Sequence, residues 1–349
     1  MDELDLVRGL YDAADDDGDP AVERRVRAAL ADRIRAGAPR RRRRLGWRVA
    51  LPAAAVIAVA AGLALGPGAG LLSGPDAGRA DAAVVRAMNT IAEVAAAQPA
   101  TADRAPGAGE WVYTRSQGLV QVTSVFAPEQ AYSYTERFTR EAWIGGDGSL
   151  RLVESHCCGH LMTAKDRAMW RASGAPDITT RKESDETYHD QASLYVRPWQ
   201  DQGLTDAELI RLAGDPPALA ERIRLAGGGA GPSPAEEMFT IVGDILREAG
   251  VAPEARAALF AATPYIPGVT LVGRVTDAAG RPGLAVAQTT LGSRRELIFD
   301  QATAALLAER TVVADPAAYW DPEVPAGTVT EEMTYLASGL VSTPTGRVD

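Results

Sequence analysis

Residues 132 to 144, YSYTERFTREAWI, alternate: Tyr132, Tyr134, Phe138, Ala142 and Ile144 share one phase, while Ser133, Thr135, Arg137, Thr139 and Glu141 share the other. A period of two places the first set on one side of an extended chain and the second on the other, so the stretch reads as a half-buried β-strand. Asp147-Gly148 tolerates positive φ and turns the chain back into Leu150 to Glu154. Upstream, Glu110 to Ser116 alternates around Trp111 and Tyr113, and Leu119 to Phe126 continues with β-branched residues. Near the C-terminus, Val269 to Thr276, a turn over 277 to 283, and Leu284 to Thr290 predict a hairpin. Arg294 to Asp300 and Thr328 to Leu336 supply further strands. Sequential strands joined by short turns pair antiparallel.

Between these strand blocks the period changes to that of helices with legible caps. Thr205 with Glu208 forms a capping box before Leu209 and Ile210, Asp215 precedes Pro216, and Ser233-Pro234 with Glu236 opens a run through Met238, Ile241, Val242, Ile245 and Leu246. Pro253 starts another helix through Leu259 and Phe260, and residues 80 to 97 form one more, carrying Val84, Met88 and Ile91. Residues 156 to 203 lack a sustained period and read as loop with short extended pieces. The expectation is an α+β domain, one curved antiparallel sheet with helices on one side.

The stretch Leu45 to Leu72, LGWRVALPAAAVIAVAAGLALGPGAGLL, adds a second element to that expectation. The 27 residues from Val49 to Pro75 carry no charge, and at about 1.5 Å per residue a helix of that length exceeds the roughly 30 Å of a bilayer core. Arg40, Arg41, Arg42, Arg43, Arg44 and Arg48 precede it, with Trp47 at the headgroup level, so the positive-inside rule predicts a cytoplasmic N-terminus. The resulting organisation is a cytoplasmic segment over 1–47, a transmembrane helix over 48–72, a stalk and first helix over 73–108, and an exported domain over 109–349. An uncleaved signal anchor in the cell membrane, single-pass with an extracytoplasmic domain, fits a preceding region longer than a secretory signal uses.

The formal charge of the 349 residues is −10. Residues 1 to 48 hold 12 Arg against 10 Asp and Glu, about +2, which leaves about −12 for the rest. An acidic body of this kind is a poor partner for nucleic acid. In the N-terminal segment Val22, Val26, Leu30 and Ile34 recur every four residues on a charged helix. Residues 20–36 therefore read either as a docking helix for a cytoplasmic protein or as a helix lying in solvent or on the lipid bilayer.

The densest chemistry is Ser155-His156-Cys157-Cys158-Gly159-His160, which holds both cysteines and two of the three histidines. Three readings stand side by side: a surface loop without a ligand, a reducible Cys157–Cys158 disulfide, and a metal site formed by His156, Cys157, Cys158 and His160. His189 joins the last only if the loop folds back. No GxSxG, HExxH, Walker A or CxxC occurs, so no catalytic residue and no cofactor are expected, and the chain reads as non-enzymatic. Trp143, Trp170, Trp199 and Trp320 either line an apolar pocket or belong to the core.

The chain resembles an uncharacterised family of actinobacterial single-pass membrane proteins, often compared with membrane-bound partners of sigma factors. The resemblance lies in Asp2 to Val7, the Arg-flanked span, Trp111-Val112-Tyr113, Asp244 to Arg247, Ala257 to Phe260, Ile266 to Val269, Gly280 to Gly283 and Leu297 to Asp300. Gln301 and Ala304 depart from the Asp-Pro-x-Thr-Gly turn that it implies. It also implies an exported domain similar in outline to lipoprotein-carrier folds and brings no activity with it. The expected function is a membrane-anchored regulatory or sensing protein whose outer domain binds an apolar ligand or an envelope protein. A lipid or lipoprotein carrier, and a redox or metal protein acting through the His-Cys-Cys-Gly-His stretch, are the alternatives.

Overall fold

A computed structural model describes residues 81–99, 106–127, 130–189, 199–229, 231–247 and 251–348. Nine strands form one antiparallel sheet: β1 (Trp111–Ala127), β2 (Gln130–Gly145), β3 (Leu150–Leu161), β4 (Lys182–Tyr188), β5 (Val269–Thr276), β6 (Pro282–Thr290), β7 (Ser293–Phe299), β8 (Leu306–Val313) and β9 (Val329–Val341). Their order is β4-β3-β2-β1-β9-β8-β7-β6-β5, two meanders joined where the first strand pairs with the last. Among the described residues six α-helices accompany them: α1 (Ala82–Ala96), α2 (Ala164–Ala172), α3 (Asp206–Arg211), α4 (Pro216–Gly227), α5 (Pro234–Arg247) and α6 (Pro253–Ala262).

The sequence-based fold class requires correction. Strand accounts for 39% of the described residues and helix for 29%, so the architecture is mainly β rather than α+β with a transmembrane helix. Three local features explain the shortfall in strand. Gly118, between the stretches 110–116 and 119–126, lies inside the single 17-residue β1, where β9 comes so close that a Cβ would sit 1.8 Å from the Glu332 carbonyl oxygen. Strand β4, KESDETY, is a polar edge strand with no hydrophobic period to announce it. Strand β8, LLAERTVV, is buried on both faces over much of its length and does not alternate.

The membrane reading is corrected as well. No helix among the described residues is long and apolar enough to cross a membrane; the longest, α1, has 15 residues, against the roughly 20 that a span needs. Residues 48–72, the flanking Arg40 to Arg44, Trp47 and Arg48, and the 20–36 segment lie outside the described residues. The single-pass topology and the cell-membrane location therefore have no structural element to carry them.

The principal core lies between the helices and one face of the β5–β8 half of the sheet. Ile241, Val242 and Ile245 of α5 and Leu259 and Phe260 of α6 join Val286, Leu297 and Phe299, and α1 adds Val84, Met88 and Ile91. Phe260 meets Phe299 edge-on, centroids 5.0 Å apart, a pair that contributes about 1 kcal/mol beyond its burial. The N-cap residues are those the sequence specifies: Thr205 accepts from the Glu208 amide, Asp215 from the Ala218 amide, and Ser233 from the Glu236 amide, although the Glu208 carboxylate accepts from Arg211 and the expected capping box is only half formed.

On the other half of the sheet the same face carries a smaller apolar cluster, Val112, Ala142, Ile144, Leu150 and Leu152. The opposite face there is covered by the C-terminal residues. Trp143 donates its indole N–H to the Gly346 carbonyl at 2.6 Å, and the guanidinium groups of Arg151 and Arg347 lie over its ring.

Candidate functional site

Strand β3 runs in register with β2 from Leu150 opposite Ile144 to Cys157 opposite Arg137, and then slips. His160 is the next paired residue and faces Thr135, so three steps of β3 match two steps of β2. This one-residue bulge falls on Cys157-Cys158-Gly159 and bends the edge of the sheet where it occurs. Cys158 has φ 66°, a left-handed conformation that costs a residue with a Cβ about 1–2 kcal/mol. Gly159 is required on steric grounds, since a Cβ would come within 2.3 Å of the Ile178 carbonyl oxygen. The bulge is held from its other side, the Cys158 amide donating to the Thr179 carbonyl at 3.2 Å and the Gly159 amide to that of Ile178 at 2.8 Å.

The four predicted metal ligands do not converge. Cys157 and Cys158 are joined as a disulfide, and the two imidazoles are on opposite faces of the sheet. His156 lies with Phe138, their rings stacked at 5.8 Å, whereas His160 is in register with Thr135, which the alternation of β2 puts on the other side. His189 is just beyond Tyr188, the partner of Leu150, seven residues from the Lys182 that pairs with His156, so it stands about 20 Å along the strand. Among the described residues no group of three or more His, Cys, Asp or Glu side chains is placed to hold a metal ion.

His156 has a defined role of its own. Its Nδ1 donates to the Glu136 carboxylate at 2.9 Å, both side chains are mostly buried, and its Nε2 has no partner among the described residues. One step along the same face Arg140 pairs with Glu154 at 2.6 Å, and the Arg140 guanidinium lies over Phe138. Glu136 was not among the candidates, although its position two before Phe138 in the alternating stretch puts it on the face of His156. The opposite face holds Cys157 beside Arg137, and Ser155, whose hydroxyl accepts from Arg181 at 2.6 Å. Cys158 is exposed and Cys157 half-buried.

Comparison with protein-family models, curated proteins and solved structures finds no match to this chain.

The tryptophans do not share a pocket. Trp143 is fully buried beneath the C-terminal residues, Trp170 donates to the Pro176 carbonyl, Trp199 packs against the helical core, and Trp320 is exposed. The Cys-Cys bulge carries a disulfide with one exposed cysteine. A bond between neighbouring residues closes almost no chain: loop-closure arithmetic gives it about 1 kcal/mol of stabilisation, against about 3 for a 15-residue loop. Its chemistry is thiol–disulfide exchange, with two electrons and two protons separating its two states.

Proposed function

We propose that the chain is a non-enzymatic sensing protein and that the Cys157–Cys158 pair is its sensing element, cycling between disulfide and dithiol. The observation that carries this reading is the disulfide itself, formed between adjacent residues in a strand bulge with Cys158 exposed. Such a bond contributes little as a staple, and the chemistry open to it is thiol–disulfide exchange. It also sits at a junction: β2, β3 and the 178–179 segment all hydrogen-bond to the few residues around it, so opening the ring is felt by three pieces of backbone.

The experiment is a thiol count and a structural readout on the full chain. Mild dithiothreitol is expected to release two thiols, and hydrogen exchange at the Cys158 and Gly159 amides is expected to rise while the β5–β8 core is unchanged. Two unreactive sulfurs, or a reduced chain with the same exchange pattern, overturn the proposal. The lipid-carrier alternative has only an outline of sheet and helices behind it, and an outline names no ligand. The resemblance to the actinobacterial family likewise stays a proposal, tested by whether sequences of that family align with this chain over Trp111-Val112-Tyr113, Asp244 to Arg247 and Leu297 to Asp300.

A further inference from the structure

The two sulfurs of the bulge are not equivalent, and the geometry points to Cys158 as the sulfur that an external thiolate attacks, with Cys157 as the leaving group and a dithiol as the reductant class. This rests on the sensing proposal, because it says by what route the same disulfide is opened.

Three observations carry the assignment. Cys158 is exposed, whereas Cys157 is half-buried and still paired with Arg137 of β2. The backbone of Cys158 is clamped by the bonds from its own amide to Thr179 and from the Gly159 amide to Ile178, so its side chain is displayed from a fixed position. On its own face Cys157 is paired with Arg137 across the β2–β3 ladder, and Ser155, two residues away, accepts from the Arg181 guanidinium and is paired with Glu183 of β4. A thiolate leaving beside guanidinium groups is a better leaving group than one in neutral surroundings.

The step balances as follows. A thiolate of the reductant attacks Sγ of Cys158; the Sγ–Sγ bond breaks, and its electron pair leaves on Cys157. The product is a mixed disulfide on Cys158 and a thiolate on Cys157. With a monothiol, the Cys157 thiolate is the nearest nucleophile and expels the incoming thiol again, since a group one residue away has a high effective concentration. With a dithiol, the second thiolate attacks its own partner sulfur in the mixed bond and expels Cys158. The reductant ends as a disulfide, and the two protein thiolates take up two protons from water.

The test uses the full-length chain with glutathione as the probe, quenched with N-ethylmaleimide and read by peptide mapping. The expected result is glutathione on Cys158 and the alkyl group on Cys157, in about ten-fold excess over the reverse pattern. Matched thiolate concentrations of dithiothreitol are expected to carry reduction through to two alkylated cysteines. Glutathione mainly on Cys157, or equally on both, overturns the assignment while leaving the sensing proposal standing. No adduct on either residue together with no thiols after dithiothreitol overturns both. An Arg137→Gln chain is expected to form the Cys158 adduct about three-fold more slowly with its position unchanged; an unaltered rate removes Arg137 from the mechanism.

Discussion

Arg247 of α5 and Glu309 of β8 are joined at 2.7 Å where the helix crosses the sheet, both largely buried. The Glu309 carboxylate also accepts from the Tyr335 hydroxyl at 2.7 Å and from Arg295 at 2.8 Å, while Asp244 takes a second nitrogen of Arg247. Burial pushes the Glu309 carboxyl up, but Arg247 and Arg295 together outweigh it and hold the group below its ordinary 4.5. A carboxyl depressed on folding contributes stability that is complete above the unfolded value and is lost as pH falls towards the folded one. We expect the chain to lose stability steadily below about pH 4.5. Glu309→Gln should flatten that slope and cost about 3 kcal/mol at neutral pH, since Arg295 loses its carboxylate partner and Arg247 keeps Asp244 but loses Glu309. Urea unfolding at several pH values measures both.

Tyr113 and Glu141 give a prediction at the other end of the pH scale. Burial, then the hydrogen bond to Glu141 at 2.6 Å, pushes the Tyr113 phenol up to about 12. A group whose folded value is raised contributes stability that is present below the unfolded value, about 10, and is lost as pH rises to the folded one. Phenolate absorbance should therefore show a tyrosine that titrates only as the fold loosens above pH 10. In an Arg347→Ala chain, with the bond from Arg347 to Glu141 removed, Trp143 emission should shift to the red as the C-terminal residues detach.

Two turns carry the wrong residue for their backbone. Ala304 has φ 58°, and the loop is closed by the Ala304 amide on the Asp300 carbonyl at 2.9 Å. Leu291 has φ 49° and Gly292 φ 76° in the two-residue β6–β7 turn, a pattern that favours Asn-Gly. Ala304→Gly and Leu291→Asn are each expected to raise stability by about 1 kcal/mol. A lower thermal midpoint in either variant contradicts the backbone argument.

Reduction of Cys157–Cys158 should be felt locally. A stabilisation of about 1 kcal/mol corresponds to a fall of about 2–4 °C in the thermal midpoint of a domain this size. Calorimetry with and without dithiothreitol measures it; a fall above 10 °C would make the bond a structural staple instead.

Much of the helical layer was legible because its signals are local. Thr205, Asp215 and Ser233 announce their helices within three residues, and the alternation over 132 to 144 shows β2. What escaped is decided at a distance. Gly118 looks like a break until β9 lies beside it, and β4 has only polar residues because it is an edge. Helix α2, inside the supposed loop, is capped by Thr163 and Asp166, with Asp166 also accepting from the Ser133 amide of β2 at 2.7 Å. At the candidate site the residues were visible but their sides were not: a bulge reverses the facing of everything after it, so His156 and His160 are separated by the sheet.

The first strand of the described sheet finds its second neighbour only in the last one. Trp111 pairs with Val341, 230 positions later in the chain. During synthesis each meander is formed from adjacent hairpins, but both keep a raw inner edge until β9, Val329–Val341, has been made. Completion is then a single long-range zipping event, which makes a chain cut before Val329 liable to pair with its own copies instead.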